Sequence, residues 1–179
     1  MLFQNNNLIV REIEEKDKHI LAKWLSDPQV LEFYEGRDNP FDIDQVMKEF
    51  YTSEDEVTKC IVEFEGARIG YIQFYQLDSK TKKVYGYHNE EKNIYGIDQF
   101  IGEVPYWNKG IGTLLVSSMI SYLIQDKKAD RVVMDPQSRN VRAIKCYEKC
   151  GFKKVKVLPK RELHEGVYQD CWLMEIEHC

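Results

Sequence analysis

The sequence has no C-x-x-C pair, no closely spaced histidines and no long apolar run. Each absence removes a class of function. The cysteines, Cys60, Cys146, Cys150, Cys171 and Cys179, are odd in number and scattered, so they do not form a disulfide framework. Reduced thiols in a cytoplasmic protein are expected. His19, His88, His164 and His178 lie far apart, and neither zinc nor another metal is expected. Nothing approaches the roughly 18 consecutive apolar residues of a membrane helix. The opening MLFQNNNLIVREIEE lacks a basic segment followed by an apolar one, so no signal peptide is expected. A net charge of -5 argues against a general nucleic-acid binder and is compatible with a cationic ligand. There is also no repeat and no Pro/Gly/Ser linker, so the 179 residues are expected to form one domain, 1–179.

What is present is alternation and helical spacing. LIVREI, residues 8–13, reads as a first strand. Ile20, Leu21, Trp24 and Leu25 recur at helical spacing. Asp42 stands three residues before Gln45 as an N-cap, ahead of Val46, Met47 and Phe50 on one side. Two strands flank the turn at Glu65 and Gly66. Residues 78–92 are polar and read as a loop or the distorted start of the next strand, residues 93–101. Ile111, Leu114, Leu115, Ser118, Met119, Tyr122 and Leu123 make the clearest helix. A short strand, RVVMD, stops at Pro136. A short helix follows with Gly151 at its C′ position, and two strands end the chain. This order predicts an α/β domain with a mixed sheet.

Two features carry chemistry. In NIYGIDQFIG an acid, Asp98, interrupts an apolar strand, which is costly unless something pairs with it or uses it. In WNKGIGTLL a glycine turn opens a helix, where free backbone N–H groups bind anions. It is neither a Walker A loop nor a dinucleotide fingerprint, which would need glycine at Leu115. Taken alone, the turn leaves a phosphate cradle and simple tight packing both open.

The elements after the turn narrow the choice. Strand, glycine turn, long helix, short strand and then Asn140, Ala143, Tyr147, Gly151 and Phe152 in N-x-x-A-x-x-x-Y-x-x-x-G-F resemble the GNAT superfamily of acyl-CoA-dependent N-acetyltransferases. The family turn, [Q/R]-x-x-G-x-[G/A], falls on residues 107–112, with Trp107 departing at the first position. KWLSDPQVLEFYEGRD, YGIDQFIGE, YWNKGIGT, MDPQSRNVRAIKCYEKCGF and LHEGVYQDCWLME resemble aminoglycoside 6′-N-acetyltransferases. The likeness extends to the acetyltransferase half of the bifunctional acetyltransferase–phosphotransferase of Gram-positive bacteria. No phosphotransferase half is expected after Cys179.

The resemblance implies a GNAT fold, a mixed sheet whose central strands splay, and acetyl transfer from acetyl-CoA to the 6′-amine of an aminoglycoside. Attack needs a neutral amine, whereas an alkyl amine of pKa ~10.4 is protonated at pH 7. Asp98 matches the family's proposed base; Glu103 and His88 are rival groups. Backbone N–H groups at Phe100 and Ile101 are candidates for the thioester oxygen. Tyr147 matches a family tyrosine near the cofactor sulfur, either as an acid or as a packing residue. Lys109, Gly110, Ile111, Gly112 and Thr113 are expected to bind acetyl-CoA with Asn140, Ala143 and Tyr147, and Arg142 or Lys145 are candidates for its 3′-phosphate. For the acceptor the candidates are Tyr34, Asp38, Gln73, Asp98, Asp135 and Asp170, with Glu32 and Glu35 nearby in LEFYEGRD. Two alternatives stand beside this reading: a GNAT enzyme for a polyamine or protein N-terminus, and a non-catalytic acyl-CoA-binding domain. Drug range and oligomeric state are not legible.

Overall fold

Polar FQNNN hides a strand. In a computed structural model, which describes residues 1–88 and 91–178, β1 (Phe3–Asn5) turns at Asn6, φ +54°, onto β2 (Leu8–Glu12). Phe3 lies opposite Val10 and Asn5 opposite Leu8. Because β1 buries almost nothing, its composition carries no apolar alternation. The remaining strands are β3 (Thr58–Phe64), β4 (Ala67–Gln76), β5 (Ile94–Ile101), β6 (Arg131–Met134), β7 (Lys153–His164) and β8 (Val167–Glu177). They form a sheet in the order β1-β2-β3-β4-β5-β6-β8-β7. It is mixed as expected, since β5 and β6 are parallel while β1–β2, β2–β3 and β6–β8 are antiparallel. The helices are α1 (Lys18–Trp24), α2 (Pro28–Leu31), α3 (Ile43–Val46), α4 (Ser79–Tyr85), α5 (Ile111–Gln125) and α6 (Val141–Lys149). Among the described residues no helix is long and apolar enough to cross a membrane.

By its contacts the chain divides into two compact units. The first comprises Met1–Gln73, Gln99–Ile111 and Leu163–Val167. Its core joins Leu21, Trp24 and Leu25 to Val30, Leu31, Phe41, Val46, Ile61, Tyr71 and Phe100. Asp42 caps α3 as expected, accepting from the Gln45 amide at 2.8 Å. Glu65 and Gly66 both have positive φ, the mirror-image turn that suits a two-residue hairpin. The Trp24 indole is fully buried and meets Phe100 edge-on, with ring centroids 6.0 Å apart. A Cβ at Gly102 would stand 2.2 to 2.5 Å from that indole. Gly102→Ala is therefore expected to destabilise the fold by about 1–3 kcal/mol, as overpacking does where a side chain has nowhere to retreat. Thermal unfolding of that variant reads the loss; an unchanged Tm would show that Trp24 can shift.

The second unit comprises Phe74–Asp98, Gly112–Glu162 and Tyr168–Cys179. Its core gathers Leu77, Tyr85, Ile94, Val133, Leu158, Cys171 and Leu173. Here the reading of residues 78–92 as a loop or the distorted start of a strand is corrected over Ser79–Tyr85, while residues 89 and 90 lie outside the described residues. Asp78 accepts from the Thr81 amide at 2.7 Å and starts α4, which ends at Gly86 with φ +86°. Only Tyr85 of α4 is buried, so no apolar stripe announced the helix. Asn140 caps α6, its side chain accepting from the Ala143 amide at 3.4 Å, and Gly151 follows with φ +103°. The parallel β5–β6 ladder pairs Ile94 with Arg131, Tyr95 with Val132 and Gly96 with Val133. There it ends, although β5 runs on to Ile101. Asp98 thus lies just past the last parallel partner.

Candidate active site

Gly96 and Asp98 are two residues apart on β5 and face the same way. The absent side chain at Gly96 makes room for Tyr75. A Cβ there would lie 2.6 Å from the ring and 2.9 Å from its hydroxyl. Tyr75 hydrogen-bonds the Asp98 side chain. Burial above all, then the negative charges of Asp98 and Asp135, push the Tyr75 phenol far above its ordinary range. It therefore stays protonated and donates. Asp135 accepts the Tyr85 hydroxyl at 2.9 Å and faces the Arg161 guanidinium, whose Nε is 3.4 Å away. Arg161 also stands over the Tyr85 ring, 5.5 Å from its centroid. The second unit thus gathers two of the expected carboxylates, Asp98 and Asp135, around two tyrosine hydroxyls.

Gly96→Ala is expected to displace the Tyr75 ring and lower both stability and turnover, whereas Tyr75→Phe keeps the ring and removes only the donor. Comparing kcat for the two variants separates packing from hydrogen bonding. Equal and undiminished kcat in both would mean that Tyr75 does nothing for Asp98.

The other expected residues of this unit have defined settings. Asp170 takes a backbone role: its carboxylate accepts the Lys160 amide at 2.9 Å and its carbonyl the Ser138 amide at 2.8 Å. Tyr147 is buried in α6, with its ring 6.2 Å from that of Phe152. Gly112 and Thr113, in the first turn of α5, face the Cys146 sulfur.

In the first unit Phe100, Tyr34 and Gln73 converge. The Phe100 ring lies 4.6 Å from that of Tyr34 and stacks on that of Tyr71 at 5.5 Å. The Tyr71 hydroxyl donates to Gln73 at 2.7 Å. Gly70 was passed over in the sequence, yet its Cβ would stand only 2.5 Å from the Phe100 carbonyl oxygen. Asp38 approaches Gly36, which needs its φ of +109°. Beside them Arg37 grips Glu165 through two short bonds of 2.7 Å, holding that carboxyl down at about 2. Of the rival groups, Glu103 is engaged by Lys23 at 2.9 Å and by the Trp24 indole N–H at 3.3 Å, which suits a structural acid. His88 is exposed.

The glycine turn takes its shape from Asn108, φ +61°, and Gly110, φ +78°. A Cβ at Gly110 would meet nothing within 4 Å, so this glycine serves the backbone angle and leaves open space. Trp107 departs from the family's polar residue for a visible reason: its indole N–H donates to the Ile101 carbonyl at 2.8 Å. The Lys109 ammonium stands 6.0 Å from the Tyr106 ring centroid. At the helix start, amides without intrahelical acceptors and the positive end of the dipole together favour an anion. No group of three or more His, Cys, Asp or Glu suited to a metal occurs among the described residues.

A family model described as an acetyltransferase (GNAT) domain matches residues 14–159. The chain belongs to the GNAT family. Two curated relatives, the type 1 aminoglycoside N(6′)-acetyltransferases of Klebsiella pneumoniae and Serratia marcescens, are each 30% identical over 155 residues, covering 84% of this chain and 76% of the relative. The crystal structure of aminoglycoside acetyltransferase AAC(6′)-Ib with coenzyme A and kanamycin superposes with a TM-score of 0.76 at 26% identity, over 96% of this chain and 95% of that one. Spermidine N-acetyltransferase from Vibrio cholerae, solved with CoA and spermine, shares the GNAT fold at a TM-score of 0.77 and 17% identity, over 97% and 96% of the two chains. The GNAT fold is thus shown, with its mixed sheet and flanking helices. Tyr75, Tyr85 and Arg161 escaped the sequence reading; the one signal was Tyr71, Gln73 and Tyr75 at every second position of β4.

Proposed function

We propose that this GNAT acetyltransferase moves the acetyl group of acetyl-CoA to the 6′-amine of an aminoglycoside, with the whole chain acting as one domain. The observation that carries the reading is Asp98 held by Tyr75 over Gly96, with Asp135 acting on the same tyrosine. Its identity to the two aminoglycoside enzymes supports the acceptor class. The resemblance of its sequence blocks to the acetyltransferase half of the bifunctional enzyme points the same way.

Acetyl-CoA supplies the activated acyl group. The open turn at Gly110 fits its pyrophosphate, with the amides from Lys109 to Thr113 as donors. Asn140 and Ala143 are assigned to the same cofactor by the family resemblance. Asp98 takes a proton from the bound ammonium, directly or through one water, and leaves the nitrogen lone pair free to attack. Tyr75 orients the carboxylate by donating to it. Phe100 and Ile101 offer backbone N–H groups to the oxygen that gains charge. Tyr147 returns a proton to the departing sulfur or packs against it. Asp135 and Asp170, with Tyr34, Asp38 and Gln73, bind the polycationic acceptor by summed negative charge and flat aromatic surface.

Coenzyme A release, measured with kanamycin, spermidine and a free-N-terminal peptide, tests the assignment. Kanamycin is expected to give the highest kcat/KM. Turnover of spermidine or peptide alone would move the enzyme to another amine class, and no turnover of any amine would make it a binding domain.

A further inference from the structure

The parallel ladder ends on the pair Gly96 and Val133. Two residues on from that pair stand Asp98 on β5 and Asp135, one residue past the end of β6. The two chains thus part with a carboxylate at the same register on each. The packing agrees, since Val133 and Tyr85 share one apolar cluster and Tyr75 packs against it. Asp135 carries its own cation. Arg161, on β7, donates from Nε to Oδ2 at 3.4 Å, and the Tyr85 hydroxyl donates to the same oxygen at 2.9 Å. Among the described residues Asp135 makes no further side-chain bond, so its other oxygen is left for a third partner. The Arg161 contact is loose. It is a single bond near the outer limit of hydrogen bonding, whereas Arg37 grips Glu165 through two bonds of 2.7 Å. Both partners reach water, Arg161 at 36% and Asp135 at 26% exposure. The guanidinium also has a second resting place, the Tyr85 ring, 5.5 Å from its centroid. Arg161 is close enough to neutralise Asp135 and too loosely held to lock it.

We propose that Arg161 stands in for a second cationic group of the acceptor: it neutralises Asp135 in the free enzyme and gives way when an acceptor ammonium reaches that carboxylate. The acceptor class is then an amine with at least one further ammonium close to the reacting one. The reacting amine meets Asp98, and its neighbour meets Asp135 on the adjoining chain, about 5 Å away across a sheet. Breaking the Arg161 pair costs part of what the second ammonium gains, so Arg161 sets how strongly that ammonium is selected. An acceptor with a single amine has no group to exchange for Arg161 and draws nothing from Asp135. The inference rests on reading Asp98 and Asp135 as the acceptor site.

Steady-state kinetics with kanamycin test this in wild type, Arg161→Gln and Arg161→Met, each alone and combined with Asp135→Asn. Methionine keeps an apolar stem over the Tyr85 ring and drops the charge. Two variants are used so that a folding defect in one leaves the other to decide. Each single variant is expected to lower KM about three- to fivefold, the scale of a partly exposed ion pair. The change should fall on KM and not on kcat, as a change in binding does. Arg161→Lys keeps the charge and should keep the wild-type KM. Asp135→Asn should raise KM, and adding either Arg161 variant to it should bring no gain, because nothing is left to unmask. A KM unmoved or raised in both single variants would overturn the inference. So would an equal fall with and without Asp135, which is an effect of overall charge alone. No turnover of kanamycin by any form would refute the acceptor reading and the inference with it, whereas turnover with an unmoved KM refutes the inference alone.

Discussion

Asp98→Asn is expected to lower kcat by about 10²–10⁴-fold, the range of a lost general base, while coenzyme A binding stays unchanged. Asparagine keeps the shape of the carboxylate and still accepts from Tyr75, so the strand and the Gly96–Tyr75 packing survive. What it loses is the ability to hold a proton. A fall in kcat with unchanged cofactor affinity separates this from collapse of the site. If kcat instead stays near wild type, Asp98 is a structural acid tied to Tyr75, and the base lies elsewhere.

Asp17→Ala is expected to cost about 3 kcal/mol in chemical denaturation, the low end for breaking a buried ion pair. Asp17 is fully buried and accepts from Arg11 through two bonds of 2.7 and 2.9 Å, from Arg68 at 3.1 Å and from the Glu14 amide at 2.8 Å. Removing it strands Arg11, which is only 12% exposed, although Glu63 still holds its Nε at 2.8 Å and Arg68 reaches water; hence the low end. Burial pushes the Asp17 carboxyl up, but its bonds to Arg11, the Glu14 amide and Arg68 outweigh that and hold it below the ordinary carboxylate range. A carboxyl depressed in this way contributes stability in full above its unfolded pKa, about 3.9, and loses it as pH falls through the lower folded value. The variant should therefore be weaker than wild type at neutral pH and converge with it in acid. A constant deficit down to the lowest pH would mean that the loss is packing, not charge.

Local signals were legible in the sequence. The Asp42 cap, the Glu65–Gly66 turn and the apolar stripe of α5 each depend on neighbours within a few residues. Asp98 was legible because an acid in an apolar strand has to be explained. What held it was not. Tyr75 on β4 meets Gly96 on β5, and Tyr85 reaches Asp135 fifty positions on. Neither contact has a periodicity that one chain displays. Glu103 was a rival acid until Lys23 and Trp24, some eighty residues earlier, were found on it. The same holds for Arg11 and Asp17: each is an ordinary surface residue type, and only the fold shows that they are buried together. Trp107, a flaw in the family pattern, has its own local bond to Ile101.

The central claim is that a carboxylate-held amine at the 6′ position receives the acetyl group. Coenzyme A release should therefore be measured with two aminoglycosides that differ only there, one with a 6′-amine and one with a 6′-hydroxyl. The account predicts turnover of the first and release at background with the second. Equal turnover of both would contradict it.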